Sequence, residues 1–214
     1  RNVVCGMARL NGFSVGVIAN NPMFGAGTLD PQACHKIIRL ATVCDSYNIP
    51  IIFLADVPGF MVGERVEHEL MLHWGMRMMH ALQNCSAPTL TVCIRKAFGL
   101  AWQAMNGSQM PALGVYSWPG AEIGFMDPEV GVNVAFGSKL ARIDDSDTRE
   151  SERVALVREV GESTNPYEAA GTMRIDEIID PGDTRGVLAN DLEMLSHRSV
   201  PPPEARPLSY WPTC

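Results

Sequence analysis

Backbone amides, rather than reactive side chains, are the groups in this sequence best placed to do chemistry. Residues 87–107, APTLTVCIRKAFGLAWQAMNG, read as a buried strand over 88–94, a turn over 95–99 and a helix opening near Leu100, with Ala101, Ala104 and Met105 in its interior. A helix that starts directly after a buried strand presents unpaired N–H groups and the positive end of its dipole. Such an end can hold an oxyanion without a catalytic side chain. The side chains elsewhere agree. No GxSxG elbow is present and no Cys or Ser stands in a nucleophile context. His68, His73 and His80 lack HExxH or paired-cysteine company, and His73 and His80 lie two turns apart on one helix, too far to share an ion. No metal site is expected, and any chemistry runs without a covalent side-chain intermediate.

The elements that must position this segment follow from the order of patterns along the chain. Two β-rich runs, 3–10 and 13–19, are joined by Asn11-Gly12, a hairpin dipeptide. Asp30-Pro31 supplies an N-cap and a first-turn proline, after which Ala33, Ile37, Ala41 and Cys44 recur at helical spacing as far as Tyr47. The run IIFLA at 51–55 reads as a strand buried on both faces, which makes a β–α–β unit. The loop 56–63, DVPGFMVG, sits at the carboxyl end of that strand, where ligands bind in sheets flanked by helices. A plain strand-to-helix turn built on Pro58-Gly59 fits the same residues equally well.

Met71, Trp74, Met78 and Leu82 share one helical face, a pattern of core packing. Residues 112–118 read as another apolar strand and 119–133 as a loop whose glycines do not follow GxGxxG spacing. Between Arg142 and Glu162 eleven of twenty-one residues are charged, the pattern of a solvated amphipathic helix. A short helical turn at Asn165-Pro166, a short strand over 175–179 and a helix over 183–198 complete an α/β domain spanning 1–198. The tail 199–214, with five prolines in sixteen residues, is expected to be extended.

Composition bounds the function classes. With 214 residues, 46% of them hydrophobic and 19% charged, the chain can bury one well-formed core. Its net charge of −7 disfavours nucleic acid or an anionic membrane as the main partner. Six cysteines without CxxC pairing, mostly within apolar segments, suit a reducing compartment. No apolar run reaches the ~20 residues that span a bilayer, and no signal-peptide pattern is present. The chain starts at Arg1, inside a strand pattern, as a fragment would.

Several segments together resemble the carboxyl-terminal domain of the carboxyltransferase (β) subunit of biotin-dependent acyl-CoA carboxylases, closest to the propionyl-CoA type. They are VIANNP at 17–22, DVPGF at 56–60 with Gly63 and Glu67 after it, RKAFG at 95–99, WPGAEIGFM at 118–126 and IDEIIDPGDTR at 175–185. The resemblance implies a crotonase-like fold, a spiral of ββα units. It implies CO2 transfer from N1′ of carboxybiotin to the α-carbon of a short acyl-CoA, with the ureido oxygen of biotin held by the Leu100 and Ala101 amides. Asp56, Val57, Pro58, Gly59, Phe60 and Gly99 fall on the biotin side of that site, and Gln103 and Trp102 at acyl-selecting positions.

The implied partners are a biotin carboxyl carrier, a biotin carboxylase subunit, an amino-terminal carboxyltransferase domain that holds the acyl-CoA, and further copies in a ring-shaped homo-oligomer. The implied location is cytoplasmic, or the mitochondrial matrix in a eukaryote. Where the family has two glycines and an alanine, this chain has Gly99-Leu100-Ala101; Leu100 narrows the slot but keeps its N–H, which only proline lacks. Two other readings use the same residues: a biotin-dependent decarboxylase or transcarboxylase subunit, and a non-catalytic assembly module in which Leu100 blocks the pocket.

Overall fold

The computed structural model describes residues 1–197 and 206–210. Asn11 and Gly12 both adopt positive φ, 49° and 86°, the two-residue turn that Asn-Gly favours. They join β1 (Val3–Leu10) to β2 (Phe13–Asn20) in unbroken antiparallel register. Asp30 then caps α1 (Pro31–Ser46) by accepting the Ala33 N–H at 2.7 Å, with Pro31 in the first turn. Ala33, Ile37, Ala41 and Cys44 all face the core, as their spacing predicts.

The strand β3 (Ile51–Val57) pairs parallel with β2 and with β4 (Thr89–Phe98). Beyond β4 lie β5 (Gly114–Ser117) and the short β7 (Glu177–Ile178), so the sheet runs β1-β2-β3-β4-β5-β7. One further strand, β6 (Glu122–Gly124), pairs with the far end of β4. Between β3 and β4 stand α2 (Glu64–His68) and α3 (Met71–Gln83); α4 (Gly99–Ala104) follows β4 directly. The rest is α5 (Pro128–Leu140), α6 (Ser146–Glu162), α7 (Pro166–Gly171) and α8 (Thr184–Leu195).

Both faces of the sheet are covered, and its central strands are largely apolar up to Ala55 and Ile94. On one face Ile18, Ile51, Phe53 and Cys93 pack with Ile37 and Cys44 of α1, Met78 and Leu82 of α3, and Ala101 and Met105 at α4. On the other, Val15, Ile52, Leu90, Val92 and Tyr116 pack with Leu188 and Leu192 of α8. Each fully buried side chain of this size contributes about 1.5–3 kcal/mol. Among the described residues no helix is long and apolar enough to cross a membrane.

Three expectations need correction. The turn expected at 95–99 is strand as far as Phe98, because Lys96 to Phe98 pair with β6 and Ala97 with Val57. The loop expected over 119–133 contains β6 and opens α5, whose Asp127 caps the Glu129 N–H at 3.1 Å with Pro128 in the first turn. The tail expected to be extended folds, at Pro207–Tyr210, into a 3-10 turn. There Leu208 is fully buried, and Arg206, also buried, donates from Nη1 to the Asp45 carbonyl at the end of α1. The other residues of that tail lie outside the described residues.

Candidate functional site

The joint between β4 and α4 is held from three sides. From Ala55 to Val57 β3 advances two residues while its partners on β4 advance four, from Cys93 to Ala97. The bulge this creates is filled by Asp56, whose Oδ1 accepts the Lys96 N–H and the Arg95 Nε–H, both at 3.2 Å. Asn20 steadies Asp56 in turn, accepting its N–H at 3.2 Å through Oδ1 and donating Nδ2–H to the Gly27 carbonyl at 2.9 Å. Then Gly99 turns the chain into α4 at φ 58°, and a Cβ there would stand 2.9 Å from the Phe125 carbonyl oxygen. Only glycine fits both the angle and the space.

The first turn of α4 contains Gly99, Leu100 and Ala101, and its N-cap, Phe98, offers no side-chain acceptor. The first N–H groups of a helix have no partner within it. Ala101 is buried, whereas Leu100 is 47% exposed. Leu100 lines an apolar cavity of about 160 Å³ with Phe60, Met61, Val62, Met71, Leu72, Gly75 and Met76, and Glu67 at its rim. Phe60 is placed there by the bridge between its strand segment and Leu29: the Met61 N–H donates to the Leu29 carbonyl at 2.8 Å and the Leu29 N–H to the Gly59 carbonyl at 3.1 Å. Its ring lies over Gly75, 3.3 Å from where a Cβ would be.

A larger, more open groove of about 810 Å³ runs along α3 from Glu67, Leu72 and Met76 to Gln83, past His73, Arg77 and His80. The smaller cavity adjoins the first turn of α4, since Leu100 is in its wall. The two share Glu67, Leu72 and Met76 in their walls.

The expected site residues therefore divide. Phe60 and Leu100 come together at the cavity, and Gly99 and the buried Ala101 flank Leu100 in the first turn of α4. Gly59 is open, with nothing within 4 Å of an added Cβ, so a ligand can approach its backbone closely. Val57 is fully buried in the sheet and Asp56 is a brace whose side chain is 11% exposed. Trp102 is buried in the core, its indole against Gly107 and its Nε1–H donating to Ser108 Oγ at 3.1 Å. Gln103 is half-buried and donates Nε2–H to Gln109 Oε1 at 3.0 Å. Neither Trp102 nor Gln103 lines the Leu100 cavity.

Met61 belongs to the loop expected to carry a site, whereas Met71, Gly75 and Met76 of α3 were not expected there. The stripe that carries Met71 reads as core, and only its edge at Leu72 and Met76 is exposed.

Charge around the joint is balanced locally. Lys96 Nζ donates to Asp127 Oδ2 at 2.8 Å. Burial raises the Asp127 carboxyl, but the Lys96 ammonium and the Glu129 and Val130 amides outweigh it and hold the group below its ordinary 3.8. Burial pushes the thiols the other way: Cys34, Cys44, Cys85 and Cys93 up to about 12 and Cys5 to about 11. Among these cysteines no thiolate is available as a nucleophile. Among the described residues no three His, Cys, Asp or Glu side chains gather in a way that holds a metal.

What the arrangement offers is a pair of helix-start amides beside an apolar slot, which suits an oxygen that gains negative charge. The group that the family resemblance implies, carboxybiotin, has that chemistry, and the residues present fit it.

A hairpin leading into a parallel sheet, with a helix start of this kind at the end of a central strand, is the architecture of the crotonase-like carboxyltransferases. The chain belongs to the carboxyl transferase domain family, whose model matches residues 1–207. The propionyl-CoA carboxylase carboxyltransferase subunit of Haloferax mediterranei is 41% identical over 206 residues, which is 96% of this chain and 40% of that one. The methylmalonyl-CoA carboxyltransferase 12S subunit of Propionibacterium freudenreichii subsp. shermanii is 39% identical over 193 residues, 90% of this chain and 36% of that one. A solved transcarboxylase 12S structure, described as a hexamer with methylmalonyl-coenzyme A and methylmalonic acid bound, superposes with a TM-score of 0.84 at 38% identity, covering 94% of this chain and 38% of that one. The chain thus spans about two-fifths of the length of the relatives it matches.

Proposed function

We propose that this chain supplies the biotin-side half of the site of a biotin-dependent acyl-CoA carboxyltransferase acting on a short acyl-CoA. The observation that carries the reading is the uncapped first turn of α4 beside the apolar cavity of Leu100 and Phe60. When bound, carboxybiotin on its carrier protein supplies the carboxyl group. The chain's part is electrostatic: the Leu100 and Ala101 N–H groups donate to an oxygen that becomes more negative during transfer, and the apolar wall keeps water from competing for them. Asp56, Gly99 and the bulge in β4 hold those amides in place before the reaction, so little reorganisation is needed. Gln103 remains an acyl-selecting candidate only from outside the cavity, through its pair with Gln109.

The partners in this reading are a biotin carboxyl carrier, a biotin carboxylase subunit, the complementary domain that holds the acyl-CoA, and further copies in a ring. The location is cytoplasmic or in the mitochondrial matrix. The direction is a second matter: relatives named as a carboxylase subunit and as a carboxyltransferase subunit match at 41% and 39%, so transfer between two acyl-CoAs is the alternative.

The test is Ala101→Pro in the assembled enzyme. Ala101 is the third residue of α4, where proline breaks no helical ladder bond although it restrains Leu100. Removing one oxyanion donor costs ~10²–10³ in kcat. The expected result is that loss with the melting temperature nearly kept, while Leu100→Gly stays active. Near-normal transfer by a folded Ala101→Pro enzyme defeats the reading.

A further inference from the structure

Lys96 is tied down at both its backbone and its side chain within the segment that delivers α4. Its N–H donates to Asp56 at 3.2 Å, at the bulge in β4, and its Nζ reaches Asp127 at 2.8 Å. Asp127 in turn caps α5. The ladder between β4 and β6 ends at Phe98 and Gly124, one residue short of the Phe125 carbonyl that sits against Gly99. The Lys96–Asp127 pair spans that gap: its ends lie three residues before Gly99 and two after Phe125. It carries the clamp past the end of the ladder to the point where strand becomes helix.

We propose that Lys96, through Asp127, is the positioning residue that fixes where the first-turn amides of α4 point; the inference rests on the oxyanion reading of those amides. Lys96 and Asp127 side chains are 31% and 19% exposed, and such a pair adds little to overall stability. Displacement of an oxyanion donor by a fraction of an ångström is by contrast felt strongly in rate. A role in positioning therefore predicts a large effect on kcat with a small one on folding, the reverse of what a core residue gives. Lys96 touches no reacting atom in this scheme.

Lys96→Met, Lys96→Arg and Asp127→Asn in the assembled enzyme, assayed with propionyl-CoA and carboxybiotin on its carrier, test it. Lys96→Met is expected to lower kcat by about 10-fold or more, leave KM for propionyl-CoA within about twofold, and be largely rescued by Lys96→Arg. Asp127→Asn should match Lys96→Met.

Hydrogen exchange supplies a readout independent of turnover. The Met105 and Gly107 amides, which donate to the Ala101 and Trp102 carbonyls at 2.9 and 3.0 Å, should exchange about 10-fold faster in Lys96→Met, with α1 and β3 unchanged. Unchanged exchange at these amides overturns the proposal, as does a kcat within about twofold of normal when Ala101→Pro costs ~10². If Ala101→Pro itself proves harmless, the oxyanion reading fails, and the exchange result alone decides whether Lys96 holds α4.

Discussion

The β4–α4 joint and the α5–α6 hairpin are both strand-or-helix junctions next to the same Phe125–Asp127 loop, yet they are built in opposite ways. At the joint Ala97, Phe98, Ala101 and Trp102 are all nearly inaccessible, and the strand is paired with β3 at Ala97 and with β6 through its last residue, Phe98. In the hairpin α6 buries no residue, α5 buries only Val132 and Leu140, and Val134 and Val154 are 73% and 55% exposed. What holds the hairpin is local: the Asp127 and Asp145 caps, and the pairs Lys139–Glu152 at 2.9 Å and Arg153–Glu150 at 2.7 Å. The chain's own core thus fixes the backbone that would do the chemistry. It leaves the hairpin's apolar side chains uncovered, as an arm made to pack against another surface would be.

That contrast is broken most forcefully at Phe98. Phe98→Ala removes a buried aromatic ring just before Gly99 and should destabilise the chain by about 3–5 kcal/mol, read as a shift in the urea midpoint. A loss below ~1 kcal/mol would mean that the joint is no better packed than an exposed surface. Gly99→Ala comes next. It places a Cβ 2.9 Å from the Phe125 carbonyl at a φ of 58°, with an expected cost of about 1–3 kcal/mol. In the assembled enzyme its rate should fall further than stability alone explains, because the helix start itself must move.

The difference between the two regions also decides what was legible in the sequence. The hairpin turn, α1, β3 and the apolar strand of 88–94 followed from local signals: Asn11-Gly12, Asp30-Pro31 and unbroken apolar runs. The end of β4 did not, because Arg95 and Lys96 look like a polar turn until their partners Asp56 and Asp127, 39 and 31 residues away, are in place. The opening of α5 was missed although Asp127-Pro128 is the same cap that marked α1; the glycines around it outweighed it.

The helix start near Leu100 and the loop over 56–63 were legible from pattern alone, as a strand–helix joint and a strand-end loop; the family resemblance added only their assignment to biotin. Met71, Gly75 and Met76 were hidden because a helical apolar stripe looks alike whether it faces a core or a cavity. Trp102, given an acyl-selecting position by the resemblance, packs its indole against Gly107, a contact only the folded chain reveals.

A smaller effect sharpens the boundary between the regions, where Lys96 meets Asp127. The Asp127 carboxyl lies below its ordinary 3.8 in the folded chain, so the pair's contribution is complete above the unfolded value and is lost as pH falls through the folded one. The loss belongs below about pH 4 and amounts to about 0–1 kcal/mol for a pair of this exposure. Urea midpoints at pH 7 and pH 3 should therefore differ more in the wild-type chain than in Lys96→Met. An equal difference would show that the pair contributes nothing in acid or neutral solution.

The smallest effect on stability belongs on the exposed face of α5. Val134 is 73% exposed on α5, so Val134→Asp leaves no buried charge and opens no cavity in the chain by itself. Its urea midpoint should stay within about ±0.5 kcal/mol of the wild type. If the arm packs against another surface, the same substitution places a carboxylate in an apolar contact that excludes water, where an unpaired charge is costly. Sedimentation of the isolated chain should then show weaker self-association for Val134→Asp, and the assembled enzyme should dissociate at higher concentration than the wild type. A variant that loses stability as a monomer would mean that Val134 serves the chain's own core, and the contrast with the joint would disappear. One that associates as tightly as the wild type would leave the arm an ordinary solvated surface despite its apolar sequence.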